Sequence, residues 1–104
     1  MVSCYNAIKR SELKIKLWRY NMKAAVYYGK HNLVVEDVPV RELKDNEVLI
    51  QVKYCGVCGT DVHIFNGDGG SFEVTPPLIP GHEFSGVVKK IGANVNRIKV
   101  GDRV

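Results

Sequence analysis

From Met22 onward the apolar residues of this chain come in short runs. They are rich in Val, Ile and Tyr and are broken every few residues by Gly, Pro, Asn or Asp. Such punctuation leaves no room for a long helix and fits short strands joined by tight turns. Lys23–Tyr28 reads as a first strand, and residues 29–32 (Gly-Lys-His-Asn) as a turn. Leu33–Val38 is a second strand, closed by Pro39, and Lys44-Asp45-Asn46 a second turn. In Glu47–Tyr54, Val48, Ile50, Val52 and Tyr54 share one face. Glu47, Gln51 and Lys53 share the other, with Leu49 the exception. That alternation predicts one buried and one wet face. Ser85–Ile91 reads as a fourth strand, and Arg97–Val104 as the start of a fifth. Pro76, Pro77 and Pro80 keep the approach to Gly81 extended. A single short helix is predicted, capped by the Thr60 hydroxyl, favoured by Asp61 in its first turn and ended by Gly67. The expected class is mainly β, a partial barrel with one short helix. Because the chain stops at Gly101-Asp-Arg-Val104, inside what reads as a strand, truncation is expected.

At 104 residues the chain is one domain at most. It has no run of 18 apolar residues to span a membrane and no apolar signal-peptide segment. The net charge of +4 lies wholly in residues 1–21, where five basic residues face Glu12 alone. Residues 22–104 balance ten basic against ten acidic residues, so the body has no electrostatic footprint for nucleic acid. The leader reads as an edge strand, a disordered arm, a basic targeting or membrane-surface arm, or, the favoured reading, an extension upstream of a true start at Met22. The domain is accordingly set at 22–104, with 1–21 outside the fold. Three cysteines without framework spacing fit a reducing cytoplasm better than a secreted disulfide scaffold.

The chemistry concentrates in two clusters, Cys55-Gly-Val-Cys-Gly-Thr-Asp-Val-His63 and Gly81-His-Glu83. Together they offer sulfur, imidazole and carboxylate to one ion, and Zn²⁺ accepts all three. Cys55-x-x-Cys58 alone is open to several readings: a thiol redox pair, half of a four-cysteine zinc site, core cysteines, or one metal ligand beside one small buried residue. The redox reading wants a long following helix, and the four-cysteine site wants a second Cys-x-x-Cys; neither is present. His31, in a polar turn, reads as solvated.

On these residues residues 22–104 resemble the N-terminal GroES-like catalytic domain of zinc-dependent medium-chain alcohol dehydrogenases. The matching strings are Met22-Lys-Ala-Ala-Val, Glu47-Val-Leu-Ile-Gln-Val, Cys58-Gly-Thr-Asp-x-x-His63, Gly81-His-Glu-Phe-Ser-Gly86 and Val100-Gly-Asp-Arg-Val104. The resemblance leans toward the sorbitol and threonine dehydrogenase branches. It implies Cys58 and His82 as zinc ligands. Glu83 would be a third ligand or a residue close behind the metal. Asp61 would hydrogen-bond His82, and Thr60 would pass the alcohol proton to His63. Cys55 falls at a variable position and is read as structural, and Asp102 as turn-forming. The implied substrate is a small alcohol or polyol, with no nucleic acid or membrane partner and a homo-oligomeric full-length enzyme.

The residues make chemical sense apart from the family. Oxidising an alcohol removes a proton from oxygen and a hydride from carbon. A Lewis-acid zinc lowers the hydroxyl pKa. A threonine hydroxyl both donates and accepts, and a histidine titrates near neutrality. The hydride acceptor, NAD or NADP, has no Gly-x-Gly-x-x-Gly site in this sequence; its domain is expected to follow Val104, and the chain alone is expected to be inactive. The rival reading is a metal-free GroES-like binding or structural module, which need not keep Cys58, His82 and Glu83 together.

Overall fold

The computed structural model describes residues 21–68 and 74–104. The leader readings, apart from its last residue Asn21, lie outside them. The described residues are mainly β. Strands β1 (Asn21–Gly29) and β2 (Asn32–Pro39) form one antiparallel pair, and β3 (Val48–Cys55) and β4 (Phe84–Ile91) form another. Helix α1 (Gly59–Asn66) lies between β3 and β4 in sequence.

The β1–β2 ladder runs from Asn21↔Pro39 to Tyr27↔Leu33, then shifts by one residue to Gly29↔Asn32. Gly29 (φ 143°) and His31 (φ 58°) supply the left-handed backbone that so tight a reversal needs. Residues 44–47 form the turn entering β3: Glu47 N donates to the Lys44 carbonyl (3.0 Å), and Lys44 N to the Glu47 carboxylate (3.0 Å). Arg41 grips that carboxylate through both terminal nitrogens, at 2.6 and 2.7 Å. The turn docks on the far end of β4 through Gly92 N to the Glu47 carbonyl (2.8 Å) and Asn94 N to the Asp45 carbonyl (2.9 Å).

The core is small. Ala24, Val26 and Tyr27 of β1, Ile64 of α1, Leu78 and Val88 are the buried apolar residues among those described. Tyr27, Ile64 and Leu78 pack together, with Val74 half-buried against them. Tyr27 and Leu78 also exchange backbone hydrogen bonds at 2.7 and 3.0 Å. The segment before Gly81 is thereby stitched to β1, and α1 is packed over the stitch. Gly86 is required by close approach: a Cβ there would collide with the Gln51 carbonyl and the Ile50 side chain.

Two expectations are corrected. The fifth strand is absent as an element: 97–104 contributes an isolated bridge, Arg103↔Val87, flanked by backbone bonds from Gly86 and Val88 to the Val104 and Asp102 carbonyls. The Asp102 carboxylate accepts from Lys99 N (3.0 Å) and Asp102 N donates to the Lys99 carbonyl (3.2 Å). That turn uses up the residues that would have extended the ladder. Second, the apolar face of β3 is not buried throughout. Val48 and Ile50 are half-buried, but Val52 is exposed and Tyr54 is 79% exposed. Register shifts at Leu49/Ile50 and Val52/Tyr54 interrupt the alternation, and no described element lies over the far end of this two-stranded sheet.

Two outcomes follow for stability. Gly86→Ala is expected to lower unfolding free energy by about 1–3 kcal/mol through overpacking, read as a lower urea midpoint. Arg41 and the Lys44 amide hold the Glu47 carboxyl down to about 2 from an ordinary 4.5. A carboxylate with a lowered folded pKa stabilises above its unfolded value and loses that contribution as pH falls through the folded one. Melting temperature should therefore drop between about pH 4.5 and pH 2, less steeply in Glu47→Gln.

Candidate metal centre

The end of β3 delivers the chain to the site. After Cys55 one more bond crosses to the segment before β4, Gly56 N to the Glu83 carbonyl (2.7 Å), and Cys58 (φ −109°, ψ 176°) is the residue on which α1 starts. Its carbonyl accepts from Val62 N at 3.3 Å, and its own N–H donates to Asp61 Oδ2 at 3.0 Å. The cap is therefore Cys58 with Asp61 reaching back, and the Thr60 cap is corrected. Cys58-x-x-Asp61 has the spacing of a capping box, with cysteine where serine or threonine usually stands. That spacing was readable in the sequence. Gly67 ends the helix in the left-handed region (φ 69°), as expected, and its N–H donates to the Ile64 carbonyl at 3.0 Å.

The C-terminal end of α1 is held by the β1–β2 turn. His31 N donates to the Phe65 carbonyl (2.8 Å), His31 Nε2 lies 3.2 Å from Asn66 Oδ1, and the imidazole packs on the Phe65 ring at 5.2 Å. His31 is exposed, yet it fastens the helix rather than merely facing solvent.

Across from Cys58, Gly81 (φ 109°) leads into His82. The positive φ favours glycine at 81, and a Cβ there would lie 2.9 Å from Cys55 Sγ, which would have to shift. This turn brings His82 Nε2 to 3.2 Å from Cys58 Sγ. The other ring nitrogen, Nδ1, stands 3.9 Å from Asp61 Oδ1, beyond hydrogen-bond length. Cys58, Asp61 and His82 offer donor atoms that all lie within 4.8 Å of one another. Among the described residues this is the one group of three or more His, Cys, Asp or Glu so arranged.

The donor set suits zinc. Ordinary Zn–S and Zn–N lengths in a tetrahedral shell put the two donor atoms about 3.6 Å apart, close to what Cys58 and His82 present. Asp61 Oδ1 is buried with no hydrogen-bond partner, an arrangement that costs free energy unless a neighbour satisfies it. The side chain is only 12% exposed.

Glu83 does not join the group. Its backbone carbonyl accepts from Gly56 N (2.7 Å), and its carboxylate lies on the Gly56 side. Consecutive residues of an extended segment point to opposite sides, so His82 and Glu83 part company. Glu83 instead lines an open hollow of about 470 Å³ with Tyr54, Gly56, Phe84 and Ser85. Thr60 and His63 are exposed on α1, and His63 Nδ1 lies 3.8 Å from Asp68 Oδ2.

Two antiparallel strand pairs thus carry a Cys–His pair at a helix start. The sequence profile described as the alcohol dehydrogenase GroES-like domain matches residues 44–104, and the chain belongs to that family. It is 44% identical over 85 residues to sorbitol dehydrogenase of Bacillus subtilis (strain 168), covering 81% of this chain and 24% of the relative. It is 48% identical over 87 residues to L-threonine 3-dehydrogenase of Rhizobium etli (strain CIAT 652), covering 81% and 25%. A candidate zinc-binding dehydrogenase of Sinorhizobium meliloti 1021, solved bound to NADP, superposes with a TM-score of 0.73 at 38% identity, covering 82% of this chain and 24% of that one. The chain thus spans about a quarter of the length of the relatives it matches.

Asp61→Ala removes the acceptor for Cys58 N. Thermal unfolding is expected to show a loss of about 1 kcal/mol from the helix start, with Asp61→Asn losing less.

Proposed function

We propose that residues 22–104 are the N-terminal catalytic-domain portion of a zinc-dependent alcohol or polyol dehydrogenase that passes hydride to NAD or NADP, with residues 1–21 outside the domain. The observation that carries the reading is the 3.2 Å approach of Cys58 Sγ to His82 Nε2, beside the unpartnered Asp61 oxygen. The sorbitol and threonine dehydrogenase relatives support a small hydroxylated substrate. The NADP-bound neighbour supports a nicotinamide acceptor, held by parts of the enzyme beyond these residues.

In this reading Cys58 and His82 hold the zinc. Bound there, zinc supplies Lewis acidity toward an alcohol oxygen. Asp61 acts from behind. Its Oδ1 accepts from His82 Nδ1–H once the ring closes the present 3.9 Å gap, which fixes the tautomer that leaves Nε2 free as a donor. One carboxylate then serves both the helix cap and the ligand. Thr60 takes the proton from the alcohol through a hydroxyl that can donate and accept. His63, one turn further along α1 and 65% exposed, returns it to solvent. Glu83, held on the Gly56 side of the backbone, reaches the metal only if residues 82–83 turn, so it stands nearer to the supporting role than to direct ligation. No helix among the described residues is long and apolar enough to cross a membrane, and a cytoplasmic enzyme working as a homo-oligomer is the proposed setting.

Zinc binding tests the reading. Titration with a competing chromophoric chelator should show one Zn²⁺ per chain. Cys58→Ala and His82→Ala should each abolish tight binding, Asp61→Ala should weaken it by about 10–100-fold, and Thr60→Val and His63→Ala should leave it unchanged. Equal affinity in the first two variants and the parent would overturn the proposal.

A further inference from the structure

His31 stands in the β1–β2 turn, outside the zinc reading, yet it is bound to the far end of the helix that carries Asp61 and starts at Cys58. Its backbone N–H donates to the Phe65 carbonyl (2.8 Å), one of the last carbonyls of α1, which the helix itself cannot satisfy. Its ring packs on Phe65 at 5.2 Å and brings Nε2 to 3.2 Å from Asn66 Oδ1. Beside it, Lys30 closes on the helix end: a Cβ at Gly67 would meet Lys30 Cβ at 3.2 Å. His31 takes a left-handed backbone (φ 58°) in this turn, a conformation uncommon in residues other than glycine.

The same hairpin holds the other half of the site. Tyr27 of β1 exchanges backbone bonds with Leu78, in the segment that leads to His82. One hairpin thus fixes both the helix that starts at Cys58 and the residues that deliver His82. Ile64 is the one buried residue of α1, and an eight-residue helix is weak on its own. From Ile64 back to Cys58 is about 9 Å along a helix axis, so a tilt of about 10° about Ile64 would displace Cys58 by about 1.5 Å. Metal sites accept donor distances within only about 0.2 Å of their ordinary values. The Gly56–Glu83 backbone bond restrains the lead-in, but Val57, between that bond and Cys58, is 80% exposed and adds no packing. We propose that His31 is a positioning residue for the candidate metal centre: by pinning the C-terminal end of α1 through Phe65 and Asn66, it sets the 3.2 Å approach of Cys58 Sγ to His82 Nε2. The consequence for metal rests on the proposed zinc site; the control of that approach does not.

The full chain tests this with Co²⁺ as the metal probe. His31→Gly keeps the left-handed backbone and the N–H but removes the ring. Asn66→Ala removes the ring's partner. Glu47→Gln weakens the fold at the turn entering β3 and serves as the control for lost stability alone. At saturating Co²⁺ the visible absorption bands report coordination geometry. His31→Gly should shift or weaken those bands and lower Co²⁺ affinity by about 10-fold. Asn66→Ala should do the same to a smaller extent, and the double variant should be no worse than His31→Gly, because the two side chains share one contact. Glu47→Gln should lower the melting temperature and leave the saturated spectrum as in the parent. In the metal-free chain, the ring-nitrogen magnetic resonances of His82 should move in His31→Gly and stay in place in Glu47→Gln. Unchanged His82 resonances with unchanged saturated bands in His31→Gly overturn the inference, and so does an equal change in Glu47→Gln. A parent chain that takes up no Co²⁺ sinks the metal reading, and the metal-free His82 resonances then decide the role of His31 by themselves.

Discussion

The reciprocal backbone bonds between Tyr27 and Leu78, with Ile64 packed over them, fix where α1 lies relative to the residues that lead into β4. Everything at the candidate metal centre depends on that placement. Cys58 and Asp61 travel with the helix, whereas His82 travels with the segment that Leu78 anchors. The two sides meet at 3.2 Å because a few buried apolar residues, remote from the chemistry, hold both in register. The β1–β2 turn adds a second fastening at the other end of the helix through His31. An eight-residue helix has little stability of its own. Here it is capped at one end by Asp61, closed at the other by Gly67, and pinned through its one buried residue.

The site also economises on groups. Asp61 supports the helix start with one oxygen and faces His82 with the other. Gly81 supplies both a backbone that turns His82 inward and the space that Cys55 occupies. Structural and chemical demands therefore fall on the same few residues, which is why the sequence clusters were dense enough to be noticed.

Much of this was legible from residue order. The period-2 runs located β1 to β4 within a residue or two, since alternating apolar side chains and Gly/Pro punctuation are local signals. Gly67 as helix end and Asp61 in the first turn were readable for the same reason. The fifth strand was not, because the Asp102–Lys99 turn competes for the backbone groups a ladder needs. Cys58 as the capping residue was missed because cysteine is not a usual cap, although the spacing to Asp61 carried the signal. Whether Glu83 faces the Cys58–His82 pair depends on which side of an extended segment each residue takes. Composition cannot reveal that; in the structure the Glu83 carboxylate lies near Gly56, outside the Cys58–Asp61–His82 group.

The far end of β3 has a consequence for the chain as a substance. Val52, Tyr54 and Val57 are exposed, and Tyr54 borders the hollow lined by Glu83, Phe84 and Ser85. Oily surface next to strand backbone attracts further copies of itself. In isolation this polypeptide should be a poor solute, clumping as its concentration rises, and a detergent or a covering partner should keep it dispersed.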